Sequence, residues 1–99
     1  MNEINIQLKA LYNRIPRRHS ADNVKEIYNI LEEFEEVLKT LEANADPGKD
    51  VAHYFDALDT IRATVKKSND NKASKKTKDL LFDEASGELK DIMEAVMKQ

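Results

Sequence analysis

The chain contains no cysteine, and its 99 residues include only two glycines and two prolines. Without cysteine, disulfide frameworks and thiolate-based metal or redox sites are excluded, which fits a reducing compartment. Few glycines and prolines leave few points at which regular structure must stop, and aromatic residues make up only 6%. The remaining composition is rich in Glu, Lys, Leu and Ala, which favours helix over sheet. The sequence therefore predicts an all-α protein.

Long apolar runs are also absent from the chain. No stretch approaches the ~18 apolar residues of a membrane span. Residues 1–15 alternate polar and apolar side chains, so they lack the continuous apolar core of a signal peptide. We therefore expect a cytoplasmic protein that at most makes peripheral contact with the inner face of the membrane.

Apolar residues recur in four stretches at steps of three and four, which is helical periodicity. These stretches predict helices at about residues 3–15, 21–43, 47–66 and 79–97. Helices of this length joined by mostly short links pack as antiparallel neighbours. The predicted fold is therefore an antiparallel up-down four-helix bundle, with residues 1–99 forming a single domain. Its predicted core consists of Leu8, Leu11, Ile27, Leu31, Phe34, Leu38, Leu41, Phe55, Leu58, Ile61, Leu89 and Ile92.

Local signals fix where three of these helices begin or end. Pro16 should end the first helix, because the residue before a proline is driven out of the helical region. Ser20 or Asp22 can cap the second helix by accepting a backbone N–H. Asp46 followed by Pro47 predicts an N-cap and the first position of the third helix, where a missing N–H costs nothing.

The fourth predicted helix has two features of its own. Thr77 or Asp79 can cap its start. Gly87 lies inside it and should weaken it by roughly 1 kcal/mol relative to alanine. Close approach of a neighbouring helix is the only reason that the sequence suggests for this glycine.

No arrangement of side chains in the sequence indicates catalysis. Nucleophilic catalysis needs a hydroxyl or thiol beside a base, and the pair Ser20 and His19 is better explained by helix capping. Metal sites in bundles need two carboxylate-x-x-His pairs, and the chain has one such spacing, from Asp50 to His53. No glycine-rich loop precedes a helix. We therefore expect neither an enzyme nor a cofactor or metal site, but a protein that acts by presenting a surface.

Charge is strongly segregated, although the net charge is only −3. Residues 1–20 carry a net charge of +3, residues 21–61 of −8, residues 62–78 of +6 and residues 79–99 of −4. This asymmetry bears on the kind of partner that the protein meets.

The basic stretch centres on residues 66–78, KKSNDNKASKKTK, which contain a single apolar residue and therefore predict a solvated loop. Three interpretations remain open: solubility, attraction to an anionic membrane leaflet or a partner, and contact with nucleic-acid phosphates. The absence of aromatic residues and arginine from these positions argues against nucleic acid. The glutamate-rich run at residues 32–36 is typical of a solvated helix face.

Three segments resemble the immunity proteins of pediocin-like (class IIa) bacteriocins. ALYNRI at residues 10–15 is similar to the end of that family's first helix. EIYNILEEFEEVLKTLEANADPG at residues 26–48 is similar to its second helix and the Asp-Pro-Gly break that follows. LLFDEASGELKDIMEAV at residues 80–96 is similar to its fourth helix. Together the segments cover roughly half of the chain.

The resemblance implies a cytoplasmic antiparallel four-helix bundle that protects a producing cell from its own bacteriocin. Its partner would be the mannose phosphotransferase permease in the membrane when bacteriocin is docked on it. The family's C-terminal half usually decides which bacteriocin is resisted, which implies a contact surface on the fourth helix and the loop before it. The candidate contact residues are Lys72, Lys75, Lys76, Lys78, Asp83, Glu84, Lys90 and Asp91.

Two other hypotheses remain open. The chain could be a helical adaptor or inhibitor of phage or mobile-element origin that binds a host protein through its acidic helix face. It could also self-associate through the apolar seam of the second helix, so that it exists as a monomer or a weak dimer.

Overall fold

The computed structural model describes residues 3–44 and 51–98, and it contains four α-helices. They are α1 (Glu3–Arg14), α2 (Ala21–Asn44), α3 (Ala52–Ser68) and α4 (Lys75–Met97). No strand occurs in the described part of the chain, so the predicted all-α class is confirmed. None of the described helices combines the length and the apolarity needed to cross a bilayer.

The four helices pack around one cluster of buried apolar side chains. Contacts join α1 to α2, α2 to α3 and α3 to α4, and α1 also contacts α4. This closed ring of contacts is the one that an up-down bundle needs. Leu31, in the middle of the apolar seam of α2, is fully buried within the single chain. The seam is therefore used inside the bundle and is not exposed for pairing with a second copy.

Nine of the twelve predicted core residues are buried, and three are not. Leu41, Phe55 and Ile92 are only partly buried and pack against the edge of the core. In α4 the fully buried positions include Phe82 and Met93, which are not among the predicted core residues. Ile92 and Met93 are adjacent and each fits helical spacing, so only packing against the neighbouring helices selects which of the two is buried.

The predicted start of α2 is confirmed, whereas that of α4 is wrong. Asn23 N donates to Ser20 Oγ at 3.0 Å, so Ser20 caps α2. In α4 the cap is Ser74, whose Oγ accepts from Thr77 N at 3.2 Å. Thr77 and Asp79 are therefore inside the helix rather than at its cap.

The predicted basic loop at residues 66–78 is wrong in length, because helix occupies both of its ends. α3 continues to Ser68, whose Oγ donates to Val65 O at 2.6 Å, and α4 begins at Lys75. Lysine is a good helix former, so a shortage of apolar residues does not stop a helix that has a cap. The connection is reduced to residues 69–74.

The third helix begins later than predicted. Val51 is not helical and α3 starts at Ala52, without a side-chain cap. Asp46, Pro47 and Asp50 lie outside the described residues.

Gly87 does not serve the close helix approach that the sequence suggested. The residue is exposed on α4, and a Cβ added there would meet nothing within 4 Å. Its φ is not positive either, so the backbone does not require glycine. Nothing in the packing of the bundle explains this residue.

Candidate docking surface

The link between α1 and α2 is held against α4 by two contacts. Ser86 Oγ donates to Pro16 O at 2.7 Å. Three residues further along the link, the His19 ring meets Phe82 edge-on with 5.8 Å between ring centroids. These contacts fix the link along α4, with Arg17 and Arg18 between them and exposed.

The start of α4 supplies a second group of basic side chains. Ser74 caps the helix, and the next two residues, Lys75 and Lys76, are both exposed. The first turn of a helix also carries the positive end of its dipole. Lys72 lies just before the cap, in a turn where its N–H donates to Asp70 Oδ1 at 3.0 Å. Positive charge from the loop and from the helix start is thus brought together.

A surface groove joins the link to the start of α4, and we call it the basic groove. It is lined by Arg17, Arg18, His19, Lys75, Lys76, Asp79, Leu80 and Asp83. Four of these side chains are arginine or lysine and two are aspartate, so the lining carries more positive than negative charge. Leu80 is 62% exposed, which makes it one of two large apolar side chains exposed in the described part of the chain.

The basic side chains of this surface are not neutralised by neighbours. Within residues 3–44 and 51–98, neither arginine of the link nor any of Lys72, Lys75 and Lys76 forms an ion pair within 4 Å. Their charge is therefore available to an external partner.

The glutamates of α2 behave differently, because arginines from neighbouring helices pair with them. We call Glu32, Glu33, Glu35 and Glu36 the acidic middle. Arg14 of α1 reaches Glu26 and Glu33, each at 2.8 Å. Hydrogen bonds to these carboxylates raise the pKa of Arg14.

A second arginine pairs with the other side of the acidic middle. Arg62 of α3 lies 3.1 Å from Glu35, and both side chains are 29% exposed. The hydrogen bond from Arg62 lowers the pKa of Glu35. Lys39 also lies 3.4 Å from Glu36. The predicted acidic docking face is therefore partly neutralised from within the molecule.

The eight predicted contact residues do not form one surface. Lys75, Lys76 and Asp83 line the basic groove, and Lys72 lies in the loop beside it. Lys78 is half-buried in the first turns of α4, and Glu84 is exposed further along. Arg17, Arg18 and Leu80 also line the groove but are not among the predicted contact residues. The basic link was visible in the sequence, but only packing of the link on α4 connects it to the lysines.

The remaining two predicted residues lie elsewhere on α4. Lys90 and Asp91 follow Lys75 by 15 and 16 positions, roughly 22 to 24 Å along the helix. Lys90 is half-buried, with its ammonium 5.8 Å from the centroid of the Tyr12 ring. Tyr12 donates its hydroxyl to Glu94 at 2.9 Å, and this bond raises the Tyr12 pKa. Lys90 is thus part of the contact between α1 and α4.

The described residues include no group of three His, Asp or Glu side chains placed to hold a metal ion. His53 is exposed, with its ring 3.9 Å from that of Tyr54, and its predicted companion Asp50 lies outside the described residues. Ser20 uses its hydroxyl as a helix cap, as expected. The candidate site is therefore the exposed, charged basic groove.

Comparison with protein-family models, with curated proteins and with solved structures finds no significant match to this chain.

Proposed function

We propose that the protein is a bacteriocin immunity protein of the pediocin-like (class IIa) type. It acts from the cytoplasm and binds the mannose phosphotransferase permease of the membrane when bacteriocin occupies it. Binding blocks the pore and protects the cell that makes the toxin. Neither a cofactor nor a chemical step is involved.

One observation carries the proposal: each segment that resembles the family coincides with the helix that the resemblance implies. Residues 10–15 contain the end of α1 at Arg14. Residues 26–44 of the second segment lie within α2, and its remainder lies outside the described residues. Residues 80–96 lie within α4. Within the described residues, the order of segments and helices agrees.

The alternative, an adaptor or inhibitor acting through the acidic middle, has less support. Glu33 and Glu35 are engaged by Arg14 and Arg62. A face that binds a host protein through its negative charge needs that charge free for its target. The basic groove, in contrast, has exposed charge that its own bundle does not use.

The proposal is tested by producing the chain in a bacteriocin-sensitive strain and challenging the cells with a panel of class IIa bacteriocins. We expect protection against at least one of them. The tagged protein should also co-purify with the permease when that bacteriocin is present, and much less in its absence. Absence of protection across the panel, with the folded protein detected in the cells, would contradict the proposal.

A charge-reversal pair sharpens this test. Lys75→Glu/Lys76→Glu alters the predicted contact surface, and Lys9→Glu/Lys98→Glu makes the same charge change at exposed sites outside it. The first variant should lose protection while the second retains it. Equal behaviour of the two variants would mean that these predicted contacts are wrong.

A further inference from the structure

We infer that the basic groove and its surroundings form a docking surface for an anionic lipid membrane, with Leu80 as the residue that enters the interface. The inference does not rest on the proposed immunity function, because it concerns lipid and requires neither permease nor bacteriocin.

Unpaired positive charge is concentrated around the groove. Arg17 and Arg18 of the α1–α2 link and Lys75 and Lys76 of α4 line it, and Lys72 lies in the turn before the α4 cap. All five are exposed, and within the described part of the chain none of them forms an ion pair. The nearby acids are Asp22, Asp70, Asp79 and Asp83, so positive charge exceeds negative. A Lys or Arg close to an anionic leaflet strengthens binding about fivefold.

An exposed apolar side chain, Leu80, lies among these basic residues. It lines the groove beside Lys76 and Asp83, and it is 62% exposed although the core of α4 lies on the other side of the helix. An apolar side chain surrounded by basic residues is the combination that binds the boundary between lipid headgroups and acyl chains. Solubility alone gives no reason for a leucine at this place.

The same surface is poorly suited to nucleic acid. No tyrosine or phenylalanine lines the groove, and its one aromatic ring, that of His19, already packs edge-on against Phe82, so bases have little aromatic surface on which to stack. Asp79 and Asp83 also line the groove, where they would repel a phosphate backbone laid along it. A membrane offers the exposed Leu80 an apolar boundary, which a nucleic-acid backbone does not.

Vesicle co-sedimentation tests the charge requirement. The whole protein should bind vesicles of phosphatidylcholine with phosphatidylglycerol, but not vesicles of phosphatidylcholine alone. Binding should fall steeply as salt is raised, because screening shortens the Debye length to about 3 Å at 1 M. Arg17→Gln/Lys76→Gln should weaken binding by about 25-fold, at fivefold for each residue. The control Lys9→Gln/Lys98→Gln removes the same charge and should have little effect.

Single-tryptophan reporters test the role of Leu80. The chain contains no tryptophan, so Leu80→Trp introduces a unique fluorophore at the surface. Ile6 is the matched control, because it is the other exposed large apolar side chain, at 55%. Emission from Leu80→Trp should shift to the blue on phosphatidylglycerol vesicles, and emission from Ile6→Trp should not.

Three results would overturn the inference. The first is equal binding to neutral and anionic vesicles. The second is the same loss of binding in the groove variant and its control, or the same emission shift in both reporters. The third is absence of vesicle binding together with tight, groove-dependent binding to an oligonucleotide, which would assign the surface to nucleic acid. Each of these outcomes leaves the proposed immunity function to its own protection assay.

Discussion

The basic groove and the acidic middle look equivalent in the sequence, since each is a run of like charges on or beside a helix. In the structure they differ in whether neighbouring elements pair with the charges. Arg14 and Arg62 pair with glutamates of the acidic middle. The link that packs beside the lysines of α4 instead brings two further arginines. A charge run is therefore available to a partner only where the fold leaves it unpaired.

The largest loss of stability is expected on replacing two buried aromatic residues, Phe82 near the basic groove and Phe34 near the acidic middle. Phe82 supports the link through His19, Phe34 belongs to the same helix as the acidic middle, and both are fully buried. Replacing either by alanine should lower the free energy of unfolding by about 3 to 5 kcal/mol, measured by urea denaturation. Only Phe82→Ala should accelerate trypsin cleavage after Arg17 or Arg18. Equal cleavage in variants of similar stability would mean that Phe82 does not hold the link.

A smaller effect is expected for the hydrogen bond between Ser86 and Pro16. Ser86→Ala leaves the Pro16 carbonyl without this donor and should cost about 1 to 2 kcal/mol. Ser68→Ala is the control, because Ser68 is also buried but bonds to Val65 O of its own helix. The control should cost less in the same thermal or urea unfolding experiment. A larger loss in Ser68→Ala would contradict the role of the link contact.

Replacing Gly87, on the exposed face of α4, should increase the stability of the protein. Because a Cβ meets nothing there, Gly87→Ala should raise stability by about 0.5 to 1 kcal/mol, as seen in the unfolding midpoint. If a partner approaches the backbone at this point, the more stable variant should protect cells less well. Unchanged stability would mean that glycine costs nothing in this helix.

The smallest loss of stability is expected on breaking the ion pair between Arg62 and Glu35, which partly neutralises the acidic middle. Arg62→Gln should lower stability by about 0.2 to 1 kcal/mol at pH 7, because the pair is partly exposed. The pKa of Glu35 is lowered in the folded state from its ordinary value of 4.5. The ion pair therefore stabilises the folded state at pH values above 4.5. This stabilisation is lost as the pH falls through the folded-state pKa of Glu35. Urea midpoints of both proteins should converge at acid pH, and a constant difference would exclude this coupling.

The apolar pattern was enough to predict four helices, because the spacing of Val, Leu, Ile and Phe indicates that each helix buries one face. It was also enough for the buried seam of α2, whereas the residue types before that helix left two candidate caps, Ser20 and Asp22, of which the structure uses Ser20. It did not predict the rotation of α4, where Phe82 and Met93 are buried and Ile92 is not. It also overestimated the length of the loop between α3 and α4, because low apolar content does not prevent a capped, lysine-rich turn of helix.

The candidate surface was predictable only in part. The lysines at the start of α4 are evident from the sequence, but Lys90 was grouped with them although it contacts Tyr12 on another part of the helix. Local sequence patterns indicate where each helix runs and which of its faces is apolar. They carry no information on which distant segments become neighbours.

The sequence by itself determined the helical class, the approximate helices and the separation of charge along the chain, because these follow from composition and periodicity. Tertiary structure alone decided which charges meet. It paired the glutamates of α2 with arginines 12 to 27 positions away, and it bonded Pro16 to Ser86 across 70 positions. Ion pairs and grooves depend on distances in space, and only packing sets those distances.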